Sequence, residues 1–159
     1  MDVVLADPNG RVDKTLLHRK NEAVVEKYGK TYVPVRSWVE EGPVPDPVAK
    51  LYRKDAEGLH SIVEGESEQI EIPLPMKLGN TWKWQAAGIM VTETIIGLET
   101  MTVEDRTYTH CFHIRTQSSN GRYRKDFWEA PNAGRVKSET VFNNHVKRTV
   151  TLREFKPGK

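Results

Sequence analysis

Cysteine is almost missing from this chain. Cys111 stands alone, which excludes an internal disulfide and a four-cysteine zinc site. No run approaches the roughly 18 apolar residues of a membrane-spanning helix. After Met1-Asp2-Val3 there is neither a basic n-region nor a long apolar h-region, so the expectation is a cytosolic chain, or an exported one whose leader has been removed. Charge of one sign is also scarce. A formal net charge of +2 is too small to argue for DNA, RNA or an anionic membrane as partner. The chain has no Gly-x-x-x-x-Gly-Lys-Ser/Thr phosphate loop, no Gly-x-Ser-x-Gly elbow and no His-Glu-x-x-His pair, which removes the common nucleotide-binding, esterase and metalloprotease signatures.

What is present is a polar, globular composition, 37% hydrophobic and 29% charged over 159 residues. That length suits a single domain, 1–159, or two small halves sharing a core. Short alternating runs separated by turn signals fill the chain. The clearest are Lys30 to Val39 and Arg106 to Thr116, the latter with Tyr108, His110, Phe112 and Ile114 alternating. Pro34 inside the first run points to an edge strand or a bulge. Leu51 to Val63 reads as a hairpin with Asp55-Ala56-Glu57-Gly58 at its tip, and Glu41 to Pro47 as a proline-rich loop. Ile89 to Thr94 and Leu98 to Val103 read as two strands. Residues 11 to 28 fit either one helical stripe or two short strands. The fold class expected is all-β, with antiparallel meanders forming a sandwich or a curled half-barrel.

The segment Pro73 to Gln85 divides the chain. Its two prolines hold the backbone extended, Gly79-Asn80 makes a turn, and Trp82 and Trp84 share one strand face. The halves on either side echo each other. Lys30-Thr31-Tyr32 and Arg106-Thr107-Tyr108 lie 76 positions apart, as do Tyr52 and Trp128, and Gly58 and Gly134. Val25-Glu26 also matches Val103-Glu104, with the second copy two residues shorter before the shared Thr-Tyr pair. This order suggests a degenerate internal duplication with repeat units 1–70 and 77–157. Each meander alone would be marginal, and two can bury their apolar faces together. Trp38, Trp82, Trp84 and Trp128 are the expected anchors of that core, or, if the sheets do not close, the lining of an apolar groove for a lipid or a peptide.

The pattern running from Pro73-Leu74-Pro75 and Leu78-Gly79-Asn80-Thr81-Trp82-Lys83-Trp84 through Thr102-Val103-Glu104, Tyr108, Cys111-Phe112-His113-Ile114 and Phe127-Trp128 to Gly134-Arg135-Val136-Lys137-Ser138-Glu139 resembles bacterial cell-envelope domains of unknown function. These are often lipoproteins and include the TapB-like proteins. The likeness covers roughly residues 70 to 157. It implies an all-β extracytoplasmic domain, periplasmic or associated with the outer membrane, whose only membrane link would be an anchor absent from this chain. It carries no catalytic, cofactor or metal residues.

Three local clusters suggest chemistry. On a strand, Cys111 and His113 share a face, as a thiol nucleophile and its base would, whereas His110 points the other way; a zinc site here would need further ligands from elsewhere. Glu64, Glu66 and Glu68 alternate and could pair as glycosidase acids do, although a solvated loop or a charge-protected edge explains them as well. Arg122-Tyr123-Arg124-Lys125 mixes cations with an aromatic as single-strand nucleic-acid surfaces do, but Asp126 and Glu129 follow at once and make a solvated face the better account. The expectation is therefore a non-enzymatic binding, scaffolding or assembly domain without cofactor or metal. Its partner would be a protein or a small apolar ligand, with no nucleic acid. The alternatives are a hydrolase built on Cys111 and His113 or on the glutamates, and an aromatic-groove carrier.

Overall fold

The structure is a computed structural model that describes residues 2–6, 9–39, 50–62, 67–86, 88–131, 133–143 and 145–152. The proline-rich loop, Glu64 and Glu66 lie outside the described residues. Thirteen strands follow in chain order: β1 (Asp2–Ala6), β2 (Val12–Asn21), β3 (Val25–Lys27), β4 (Lys30–Val39), β5 (Lys50–Lys54), β6 (Gly58–Ile62), β7 (Gln69–Pro73), β8 (Thr81–Ala86), β9 (Ile89–Val103), β10 (Arg106–Ser118), β11 (Tyr123–Ala130), β12 (Gly134–Phe142) and β13 (Lys147–Thr151). All the pairings described are antiparallel, no helix occurs among the described residues, and one sheet curls into a half-barrel.

The chain divides into two compact units, Leu16–Met76 and Met1–Thr15 with Lys77–Lys159, so the boundary falls inside β2. In the first, the strands run β7-β6-β5-β4-β2, with β3 also on β4. In the second, β8 through β13 form a consecutive meander, and β1 pairs with β13 from Asp2↔Thr151 to Ala6↔Lys147.

Pro34 is not on an edge. β4 has β5 on one side and β2 and β3 on the other, and Pro34 falls opposite the gap between them, beyond Asn21↔Val35 and before Val25↔Tyr32. A residue without an N–H interrupts the ladder there, and only its carbonyl is used, by Glu22 N at 2.9 Å. Residues 11 to 28 are therefore strands rather than a helix.

Some strand starts fall at the same offset of 76 residues. Lys30 and Arg106 open β4 and β10, and Gly58 and Gly134 open β6 and β12. By register Val25 pairs with Tyr32 and Met101 with Tyr108, so the pairing sets Val25 beside Met101 rather than Val103 in any comparison of the two segments. β9 runs unbroken through Leu98 instead of forming two strands.

In the second unit, the cross-strand row Trp82, Glu93, Thr116, Lys125 and its neighbour Trp84, Val91, Ser118 define one sheet face. Ile95, Ile114 and Phe127 belong to the same face and are fully buried. The opposite face is buried at its other end, where Trp128 packs with Val103, Cys111, Ala130, Val136 and Leu152. Two bulges make this possible. One, at His110 (φ 57), lets the strand gain a residue between Tyr108 and Cys111. Tyr108 thereby turns away from the Phe112 and Ile114 side and packs against the Cys111 cluster.

The three tryptophans of the second unit do not share one sheet face. Trp128 stands opposite His113, on the face away from Trp82 and Trp84. Trp38, in the other unit, stacks on His18 at 5.2 Å. Of the four, only Trp128 is buried; Tyr32, Phe127, Ile95 and Ile114 fill the core more completely.

Candidate functional site

His113 is the centre of the polar chemistry in the second unit. Its Nδ1 lies 2.8 Å from Glu99 Oε1 and its Nε2 3.0 Å from Asp126 Oδ1. The ring stacks on the Trp128 indole, 4.5 Å between centroids. Trp128 Nε1 donates to the second Glu99 oxygen at 3.0 Å. Arg115 Nε donates to Asp126 Oδ1 at 2.8 Å, and Arg124 Nε lies 3.2 Å from Oδ2. Glu99 reaches His113 because β9 and β10 place it opposite Cys111, one diagonal step away. Asp126 arrives from β11, opposite Arg115. The hydrogen bond from Trp128, reinforced by His113, holds the Glu99 carboxyl below its ordinary value against the opposing effect of burial.

Cys111 and His113 do share a strand, and among the described residues no hydrogen bond joins them. The thiol is 0% exposed, and its Sγ donates to the Tyr108 carbonyl at 3.3 Å. Burial pushes its pKa up, away from the thiolate that a nucleophile needs. Both ring nitrogens of His113 already face carboxylates.

The first unit holds a second network, around Glu68. Arg53 grips the carboxylate with two nitrogens, Nε to Oε2 at 2.7 Å and Nη2 to Oε1 at 2.6 Å. The Tyr32 hydroxyl donates to Oε2 at 2.5 Å and Lys30 Nζ to Oε1 at 2.9 Å. Arg53 in particular holds Glu68 well below the usual carboxylate range, and the Glu68 bond in turn raises the Tyr32 phenol. Glu68 is thus a deeply engaged ion-pair partner and not a solvated loop residue. Arg53 also pairs with Asp55. Beside it, Glu71 accepts from Ser61 Oγ at 2.5 Å and pairs with Lys50.

Asp55, Glu57 and His60 present ligand atoms within 4.8 Å of one another. Asp55 Oδ1, however, already accepts from Glu57 N at 2.8 Å, Gly58 N at 3.1 Å and His60 Nε2 at 2.9 Å. Those bonds close the β5–β6 turn and seat His60.

No family model, no curated protein and no solved structure matches this chain.

A shallow cleft of about 380 Å³ lies in the second unit, within the roughly 300–1,000 Å³ of small-ligand sites. Gln117, Tyr123, Arg124, Val141 and Phe142 line it, together with Gly121, Asn143 and His145. The two flanking turns are tied together by Asn143 N donating to the Arg122 carbonyl at 2.8 Å. Of the basic segment singled out in the sequence, Arg124 lines the cleft, whereas Lys125 lies over the Phe127 ring at 5.1 Å.

Sequence reasoning found His113 and missed Glu99, Asp126, Arg53 and Tyr32. Their partnerships depend on strand register across 13 to 36 residues; the only local signal was Asp126 beside the basic segment.

Proposed function

We propose that the chain is a non-catalytic β-domain of the bacterial cell envelope that binds or scaffolds a partner outside the cytoplasm. The observation that carries this reading is the internal commitment of His113, Cys111 and Glu68, three of the groups a reaction would use. A general base needs a lone pair aimed at a substrate, and a nucleophile needs an exposed, deprotonated atom. His113 faces two carboxylates, Cys111 is buried with a raised pKa, and Glu68 is held by Arg53, Lys30 and Tyr32. Such networks fix the sheet and leave recognition to surfaces. The cleft, apolar at Val141 and Phe142 and basic at Arg124, suits an apolar group next to an acid. The envelope location rests on the resemblance of residues 70 to 157.

Fractionation of cells carrying the complete reading frame tests location, and incubation of the purified protein with ester, thioester and glycoside reporters tests catalysis. The expected result is recovery with the envelope and no turnover above a His113→Gln control. A wholly cytosolic pool, or turnover that His113→Gln abolishes, overturns the reading.

A further inference from the structure

β9 has β8 beside it along only part of its length. The pairing runs from Ala86↔Ile89 to Thr81↔Thr94, and the last bonds on that side join Ile95 to Asn80 and Gly79. Residues 96–103 pair with β10 alone, and among the described residues no strand borders their other side. Leu98 is 53% exposed and Ile96 39%, and Thr100 and Thr102 are exposed as well.

The hairpin fixes which backbone groups are free. Val103 and Arg106 close the two-residue turn, so the Val103 N–H and C=O face β10. Alternation then turns those of Thr102, Thr100 and Leu98 to the open side. Met101 agrees with this phase, since its backbone bonds the Cys111 thiol on β10. Natural sheet edges are guarded by lysine, proline or inward charge. Lys83 is exposed midway along β8, and β7 ends on Pro73, whereas residues 96–103 contain no lysine, arginine or proline. Their one charge, Glu99, is already bonded to His113 and Trp128.

We propose that this edge pairs with the same edge of a second copy of the chain, antiparallel and centred on Thr100. A two-fold axis at Thr100 sets that residue opposite itself and Leu98 opposite the partner's Thr102. Every free N–H and C=O of Leu98, Thr100 and Thr102 then meets its counterpart. The open stretch is symmetric about the same point, with Gly97 opposite the partner's Val103. Moving the centre one residue toward Glu99 leaves Thr102 unpaired, and moving it toward Met101 sends Leu98 onto the Glu104 turn. No acid faces an acid in the centred register, because Glu99 lies opposite the partner's Met101, and the threonines on the axis can bond across the strands. A second copy thus matches in length, polarity and side-chain pairing at once, and forming the pair leaves neither copy with this edge open. The inference stands apart from the cleft and from the envelope assignment.

Analytical ultracentrifugation and amide exchange of the full chain test it. A strand pair of this size lies at the small, transient end of protein interfaces, so the dimer should appear between about 10 μM and about 1 mM. Over that range the amides of Leu98, Thr100 and Thr102 should exchange more slowly, while those of Glu99 and Met101, which face β10, change little. Thr100→Lys alters an exposed position and sets two cations opposite each other on the axis, so association should weaken about threefold or more at an unchanged melting temperature. An equimolar mixture of Thr100→Lys and Thr100→Glu should recover at least the parent's association, because residue 100 is the one that meets its own copy. A chain that stays monomeric at about 1 mM, as expected if the edge instead receives another protein's strand, overturns the proposal. So does a dimer that Thr100→Lys leaves intact, or a mixture that associates no better than Thr100→Lys alone.

Discussion

The imidazole of His113 lies nearly parallel to the Trp128 indole, 26° between planes, and one carboxylate, Glu99, holds both rings by their nitrogens. This arrangement makes Trp128 both an apolar anchor and a hydrogen-bond donor. Trp128→Ala removes both roles, and large-to-small changes at such buried aromatics cost about 3–5 kcal/mol. Trp128→Phe keeps most of the packing and removes one hydrogen bond to the exposed Glu99 carboxylate, whose oxygen water can then reach, so it should cost about 0.5–1.5 kcal/mol. Urea unfolding of the two variants checks the order. Equal and mild losses would mean that the stack is incidental.

Acid should destabilise the fold through a small set of carboxylates. Arg53 depresses Glu68, Arg53 and then His60 depress Asp55, and Trp128 depresses Glu99. At Glu139 burial acts the other way but is outweighed by Lys137 and Lys147. A depressed folded-state pKa contributes stability that is fully present above the unfolded values, 4.5 for Glu and 3.8 for Asp, and is lost as pH falls through the lower folded values. The melting temperature should therefore respond little to these groups at neutral pH and fall below about 4.5. Glu68→Gln removes the strongest coupling, so its melting temperature should start lower and decline less steeply in acid. An unchanged acid slope in that variant would place the linkage elsewhere.

Two glycines 76 positions apart, Gly58 and Gly134, do different work. A Cβ on Gly58 would come within 2.4 Å of the Ile72 carbonyl oxygen, a backbone atom that cannot swing aside. At Gly134 the nearest atom would be 3.9 Å away, and only the positive φ of 71° resists a side chain. Gly58→Ala should thus cost more than Gly134→Ala, whose penalty is about 1 kcal/mol. Thermal melts of the pair decide it. The opposite ranking would count against the β6–β7 pairing that brings Ile72 so close.

Much of the strand pattern could be read from alternation. Lys30 to Val39 and the start of β10 at Arg106 follow directly from it, and so does the Asp55–Gly58 turn. What alternation could not show was where it changes phase. The extra residue at His110 moves Tyr108 to the Cys111 side, and the shift between His113 and Ile114 carries β9 through as one strand. The site suffered for the same reason. Glu99 and Asp126 meet His113 only once β9, β10 and β11 are placed in register, and Glu68 looked solvated because its neighbours in sequence are polar, while Arg53 and Tyr32 reach it from other strands. The four tryptophans attracted notice by size, yet their parity sends Trp128 to one face and Trp82 and Trp84 to the other.

The thiol offers the sharpest check on the core. Cys111 is fully buried against Val103, Trp128 and Val136, and its proton is directed at the Tyr108 carbonyl. Burial raises its pKa, and the nearby Glu99 charge adds to the shift, although a backbone hydrogen bond from Met101 opposes it. Alkylation requires both a thiolate and a path for the reagent, so reaction of the native protein must wait for local or global opening. Iodoacetamide followed by mass spectrometry should therefore label Cys111 at least about a hundredfold more slowly in buffer than in urea. Trp128→Ala, by hollowing the shell around the sulfur, should narrow that gap. Rapid labelling of the intact parent at neutral pH would show an accessible thiolate and return Cys111 to the list of reactive groups.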